Sequence, residues 1–131
     1  MPRKEPSEFK IKRFQSSSGL EIMTGQDDES NDYLSLSLRH PNDLWFHVKG
    51  VSGSHVLLCC GESGQKADKE SIQEAASLAA WFSKMRHGGK VTVSYCLAKQ
   101  VKKPRGAETG TVSISKEKTL KVRPALIDEA L

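Results

Sequence analysis

At 131 residues the chain has the length of one domain, enough to bury a core without disulfides or a structural metal. No apolar run approaches the about 20 residues that a membrane helix needs, and the polar start MPRKEPSEF has no signal-peptide core, so the expectation is a cytoplasmic protein. The 20 basic and 16 acidic residues give a net charge of only +4, but they are segregated. From position 84 to 105 there are seven basic residues and no acid, and from 21 to 32 five acids and no base, so one face suits a polyanion and the competing reading is a solvated basic surface.

In chain order, residues 1–8 read as a loose tail with two prolines. Residues 9–14 alternate as a strand, Ser16-Ser17-Ser18-Gly19 turns it, and residues 20–24 return, which makes a β-hairpin. An acidic loop follows. Ser30 is positioned to N-cap a short helix over 31–39, with Asp32 in its first turn. The Leu-Ser alternation from Leu34 to Leu38 also fits a strand, but Pro41 and Asn42 end the segment, and the helix is favoured.

The segment 43–60, DLWFHVKGVSGSHVLLCC, organises the rest. It reads as two strands about a Gly-Ser bend, with Trp45 and His47 on one side of the first strand and Phe46 and Val48 on the other. Gly53 is able to take positive φ in the bend, and Val56 onward is the continuous apolar run of a buried strand. The three cysteines cannot all pair, and the neighbours Cys59 and Cys60 face opposite ways in a strand, so reduced thiols are expected.

Asp68 caps the clearest helix, 69–87, closed by Gly88-Gly89. Ile72, Ala75, Ala76, Ala79 and Phe82 form one apolar stripe and Leu78, Trp81 and Met85 a second, so the helix is expected to be covered on more than one side. Residues 90–98 alternate as a strand. A loop broken by Pro104, Gly106 and Gly110 follows. Residues 111–115 and 119–123 read as a last hairpin about Lys116-Glu117-Lys118, with Val112 and Ile114 facing Leu120 and Val122. The fold class is therefore α+β, a mainly antiparallel sheet of hairpins with one long helix (69–87) and one short helix (31–39). Residues 9–124 form the domain and 125–131 a C-terminal tail.

Four chemistries compete. Lys99, Lys102, Lys103 and Arg105 lie within seven residues, and basic side chains on a stiffened loop neutralise phosphates and release counterions; Arg86 opens the same acid-free stretch. If four to six basic residues contact phosphates, log K should fall with log salt at a slope of roughly −3 to −5. Trp45, His47 and His55, with Ser54 at the bend, are residue types that hold unpaired bases, although core packing is the ordinary fate of such a tryptophan. Asp43, His47, His55 and Cys59 or Cys60 are metal-ligand types, but their spacing matches neither Cys-x-x-Cys nor His-Glu-x-x-His, so no metal is expected. Ser54 and His55 are chain neighbours that point apart, and there is no nucleophile elbow or Walker loop, so neither catalysis nor a cofactor is expected.

The pattern Asp43-x-Trp45-x-His47-Val48-Lys49, then Gly53-Ser54-His55-Val56, resembles the NFACT-R domain, the RNA-binding module of the NFACT or fibronectin-binding-A-like ribosome quality-control proteins. Glu74-Ala75-Ala76-x-x-Ala79-Ala80-x-x-Ser83 is similar to that family's Ala-rich helix. Val101-Lys102-Lys103-Pro104-x-Gly106-Ala107-x-x-Gly110-x-Val112 is similar to its basic loop. The three motifs stand in the family's order, and the resemblance covers roughly residues 9 to 124. The resemblance implies nucleic-acid binding through Asp43, Trp45, His47, Gly53, Ser54, His55, Lys102, Lys103 and Gly106, with Gly53 and Gly106 serving the backbone. It also implies a setting: full-length members act on large ribosomal subunits stalled with peptidyl-tRNA, engage tRNA and support C-terminal tailing. A chain of this length has no room for their other domains, so tailing is not carried over. The expected function is an RNA-binding module for tRNA or rRNA, with the large ribosomal subunit as a further partner and no membrane. The competing class is a protein-interaction module docking on a ribosomal or other partner protein, whose binding would depend little on salt.

Overall fold

A computed structural model describes residues 4–64 and 66–127. The chain runs β1 (Ile11–Gln15), β2 (Glu21–Gly25), α1 (Asp28–Tyr33) continuing into a wider π-type turn (Leu34–Leu38), β3 (Leu44–Val48) and β4 (Val56–Cys59). It goes on through α2 (Lys69–Trp81), β5 (Val91–Leu97), β6 (Val101–Lys102), β7 (Ser113–Ile114) and β8 (Lys118–Val122). Six strands form one sheet in the order β1-β2-β4-β3-β5-β8, and β6-β7 form a separate two-stranded ribbon. All the pairings are antiparallel, which makes the α+β class expected from the sequence the observed one.

The alternation in β3 sorts two cores. Phe46 and Val48 join Phe14, Ile22, Val56 and Leu58 on the face covered by α2, where Ala75, Ala76 and Ala79 bring the helix backbone close to the sheet. Trp45 joins Met23, Leu57 and Cys96 on the opposite face, covered by Leu34 and by Ala98 and Val101. The sheet is thus layered between α2 on one side and α1 with the ribbon on the other.

Several boundaries differ from the sequence expectation for physical reasons. The first helix starts earlier than 31 because Asp27, not Ser30, caps it: the Asp27 carboxylate accepts from Ser30 N at 2.8 Å. Ser30 Oγ instead accepts from Lys10 N at 2.7 Å, tying the helix to the approach of β1. Asp68 caps α2 as expected, accepting from Ser71 N at 3.1 Å, but the helix stops at Trp81 rather than running to 87. There the bend between β3 and β4 captures the chain: Ser54 N donates to Phe82 O at 2.9 Å, and Lys84 N to Ser52 O at 3.1 Å. Residues 111–115 and 119–123 do not form a hairpin. β7 pairs with β6 and β8 with β5, because Val112 and Ile114 pack on the Trp45 side of the sheet and Leu120 and Val122 on the α2 side.

Part of the expected N-terminal tail is tied down. Pro6–Glu8 form a short 3₁₀ turn, Lys4 pairs with Glu29 at 3.1 Å, and the Phe9 ring stacks on Tyr33 at 3.9 Å. Of the expected C-terminal tail, Ala125 N donates to Ser77 O at 3.3 Å and Ile127 packs against the α2-side core. Its last four residues, like the first three of the chain, lie outside the described ones. Among the described residues, no helix is long and apolar enough to cross a membrane.

Candidate nucleic-acid interface

The β3–β4 hairpin is fastened by hydrogen bonds at the end opposite its bend. Asp43 is a staple: Oδ2 accepts from His40 N at 2.8 Å, and Oδ1 from Cys60 N and Gly61 N at 3.0 and 2.8 Å, joining the start of β3 to the end of β4. Gly53 does not use positive φ; that role falls to Gly50, at φ 83°. Gly53 is required by proximity instead, since a Cβ there would lie 2.7 Å from Ser83 Cβ, across the bridge that joins the bend to the end of α2. Ser54 is buried beside it.

The two histidines share a face with Trp45. His55 stands edge-on to Trp45 and to His47, with ring centroids 5.0 and 5.2 Å apart. Ser35, which the sequence reading missed, joins this cluster: it accepts from Trp45 Nε1 at 2.7 Å and lies 2.8 Å from His55 Nδ1. An indole N–H only donates, so the arrangement that satisfies all three groups has the Ser35 hydroxyl donating to Nδ1 of a neutral imidazole. Burial, reinforced by the neighbouring His47, pushes the His55 pKa down to about 4, against a smaller opposing pull from Asp32. Burial also lowers His47, partly offset by hydrogen bonding to backbone at Gly53 and Val48. Trp45 is 2% exposed and His55 4%, so neither presents an open ring face to solvent; His47 is only half-buried. Ser35→Ala should strand the indole N–H and lower unfolding free energy by about 2 kcal/mol, read by urea denaturation. A loss of a few tenths would mean that water replaces the hydroxyl.

The basic loop is braced rather than free. Arg39, also missed from sequence, donates to the carbonyls of Ala98 and Val101 at the root of the loop. Lys103 folds inward, pairing with Asp32 Oδ2 at 3.0 Å and donating to the carbonyls of Glu108 and Thr111. Lys99, Lys102 and Arg105 remain exposed on this frame, and Gly106 takes φ 77° at its tip. Arg86 lies elsewhere, in the turn that follows α2, with its guanidinium 4.5 Å over the Trp81 ring and Nε donating to Trp81 O at 2.7 Å. The structure therefore gathers Trp45, His47, His55 and Ser54 at one bend, and keeps Arg86 apart from Lys99, Lys102 and Arg105.

A cleft of about 660 Å³ opens between the bend and residues 108–114, with Trp45, His47, His55 and Ser94 on its floor. Among the described residues no group of three or more His, Cys, Asp or Glu side chains is placed to hold a metal. Burial raises the thiol of Cys59 to about 12 and that of Cys96 to about 11, so neither is a ready nucleophile.

Comparison with known proteins gives consistent matches. The chain is 35% identical over 122 residues to the Rqc2 homolog RqcH of Bacillus subtilis, covering 93% of this chain and 21% of that protein. It is 38% identical over 103 residues to the RqcH of Streptococcus suis, covering 79% of this chain and 18% of the relative. It thus spans about a fifth of the length of these relatives. Coiled-coil domain-containing protein 25 of Bos taurus is 30% identical over 113 residues, 82% of this chain and 52% of that protein. In structure, the chain matches the C-terminal part of the fibronectin/fibrinogen-binding protein from Streptococcus suis with a TM-score of 0.82 at 34% identity, over 95% of this chain and 47% of that one. The family described as the NFACT protein RNA binding domain matches residues 10–116, which takes in the stapled β3–β4 hairpin, the Ala-rich helix and the braced basic loop, and the chain belongs to that family.

Proposed function

We propose that this domain is a non-enzymatic RNA-binding module that engages tRNA or rRNA in ribosome quality control in the cytoplasm, on or near the large ribosomal subunit. Membership of an RNA-binding domain family supports the reading. The observation that carries it is the basic loop: Lys103 and Arg39 turn inward to hold it, and Lys99, Lys102 and Arg105 stay exposed at its surface. Side chains on a pre-held loop lose little freedom when they meet phosphates. The setting comes from the relatives named Rqc2 homologs and from the family resemblance.

The test is a salt titration of binding to total tRNA by fluorescence anisotropy. Wild type should give a slope of log K against log salt of roughly −3 to −5, and the Lys99→Ala, Lys102→Ala, Arg105→Ala variant a slope shallower by about 2 to 3. Lys103 is left out of this variant, because Lys103→Ala should destabilise the loop rather than remove a phosphate contact. An unchanged slope in the triple variant would move the interface away from the loop. The runner-up reading, a protein-docking module, draws on the Trp81–Arg86 stack and on Met85, which is 36% exposed beside it. It predicts partner binding that survives high salt.

A further inference from the structure

We infer that the cleft beside the bend seats one unpaired RNA base, edge-on to carboxylates, with the flanking phosphates on Lys49 and Lys121. The inference rests on the RNA-binding reading above.

The sheet register builds the site. His47 pairs with Ser94 and Ser94 with Thr119; in the next row Thr92 pairs with Lys121, and Lys49 N donates to Thr92 O at 3.0 Å. Val91, Val93, Leu120 and Val122 of the same strands pack on the α2 side, so alternation turns His47, Ser94, Thr92 and Lys121 to the opposite face. The α1–ribbon layer covers Trp45 and Cys96 on that face. Beyond it the cleft opens over His47 and Ser94. Its volume lies within the roughly 300–1,000 Å³ of small-ligand clefts.

The walls are preformed. On one side stands the bend, held to α2 through Ser52 and Ser54. On the other stand residues 108–111, held by Lys103 through the carbonyls of Glu108 and Thr111. Gly110 lies so close to α1 that a Cβ would come within 2.8 Å of Asp28 Oδ1. A site that does not have to be ordered on binding keeps more of its contact energy.

Charge decides what enters. Asp28, Glu108 and Glu117 line the cleft, against Lys49 as its one cation among the described lining residues. That balance repels a phosphate and accepts from the exocyclic amino group of a base, as carboxylates do with cytosine N4. The neutral imidazole of His47 supplies a ring surface without adding positive charge. Lys49 and Lys121, exposed on the adjoining row, are placed for the phosphates on either side. Cytosine, adenine and guanine should therefore outrank uracil.

The experiment compares five-nucleotide RNAs of identical charge whose central residue is cytidine, uridine or abasic, by fluorescence anisotropy with the full chain. Wild type should bind the cytidine strand about tenfold or more tighter than the abasic one. The Glu108→Gln, Glu117→Gln variant should lose the preference for cytidine over uridine. Thr111→Trp, which fills the cleft from an exposed wall position, should abolish base dependence and keep the salt slope. Should that variant fail to fold, free cytidine added to wild type must shift the ring-proton resonances of His47 and His55. Equal affinity for abasic and base-bearing strands, with the salt slope intact, overturns the cleft and leaves the RNA reading standing. A uniform gain for all three strands on removing the two carboxylates also overturns it, because phosphate would then occupy the cleft. No binding of any strand at low salt overturns the cleft, and the RNA reading falls with it where total tRNA also fails to bind.

Discussion

Asp43→Ala should lower the free energy of unfolding by roughly 3–5 kcal/mol, the largest loss expected from any single polar substitution in the domain. The carboxylate is 3% exposed and accepts three backbone amides, from His40, Cys60 and Gly61. Hydrogen bonds to an ionised acceptor contribute about 1.5–3 kcal/mol each, and alanine leaves all three donors without this acceptor, the Cys60 amide in a fully buried position. The neighbourhood cannot relax to close the gap. A Cβ on Gly61 would sit 2.5 Å from His40 Nδ1 and 2.8 Å from Asp43 N, which shows how tightly these segments meet. Asp43→Asn keeps the shape but turns an N–H toward a donor on one side, so its loss should be intermediate. Urea denaturation followed by tryptophan fluorescence measures both. A loss below about 1 kcal/mol for alanine would mean that the strand ends hold together without the staple.

The second large effect is acid lability between pH 6.5 and about 4. His55 is neutral in the folded state and its pKa is lowered to about 4, whereas in the unfolded chain it titrates near 6.5. Below pH 6.5 the unfolded state therefore binds the extra proton, and stability falls as pH falls. The stabilisation is fully present above pH 6.5, and its loss approaches roughly 3 kcal/mol by pH 4, where the folded state begins to protonate as well. The structural cause is specific. A proton on Nδ1 would face the Ser35 oxygen, which already accepts from Trp45, and the serine hydroxyl would have to turn away. His47, also lowered by burial, adds to the same limb. The carboxyls act lower down: hydrogen bonds from Ser71 and Ser18 hold Asp68 at about 2, so its contribution is lost only as pH falls below about 3.8. Urea midpoints at half-unit steps from pH 7.5 to 4 should descend for wild type and flatten for His55→Gln. A wild-type curve flat down to pH 4.5 would mean that water reaches the imidazole and the cluster is not closed.

Period and capping carried most of the architecture. The alternation of Trp45 and His47 against Phe46 and Val48 assigned the two faces of the sheet correctly, and the alanine stripe of α2 marked the helix that lies on one of them. Asp68 marked the start of that helix because a cap is a local device that reaches three residues along the chain. Its end was not legible, because Trp81 is the last helical residue only where a bend some 30 positions earlier in the chain captures Phe82 O. For the same reason Val112, Ile114, Leu120 and Val122 looked like one hairpin. Two short apolar alternations are alike in sequence, and only the packing assigns them to opposite faces of the sheet.

The functional residues divide along the same line. The run Lys99 to Arg105 announces a basic loop by composition alone, and Asp43, Gly53 and Gly106 stand where the backbone needs them. Composition cannot say that Lys103 is spent on Asp32 and two carbonyls while Lys99, Lys102 and Arg105 face solvent, since four basic side chains are equivalent until a partner from α1 is brought beside one of them. Nor can it place Ser35 under Trp45 and His55, because an alternating Leu-Ser run turns a serine inward only after the helix widens against the sheet. The sequence by itself determined the fold class, the two faces and the basic loop, all of which follow from spacing along the chain. Tertiary structure alone decided which polar groups hold the frame and which remain for a ligand, because that depends on contacts between segments up to 71 residues apart.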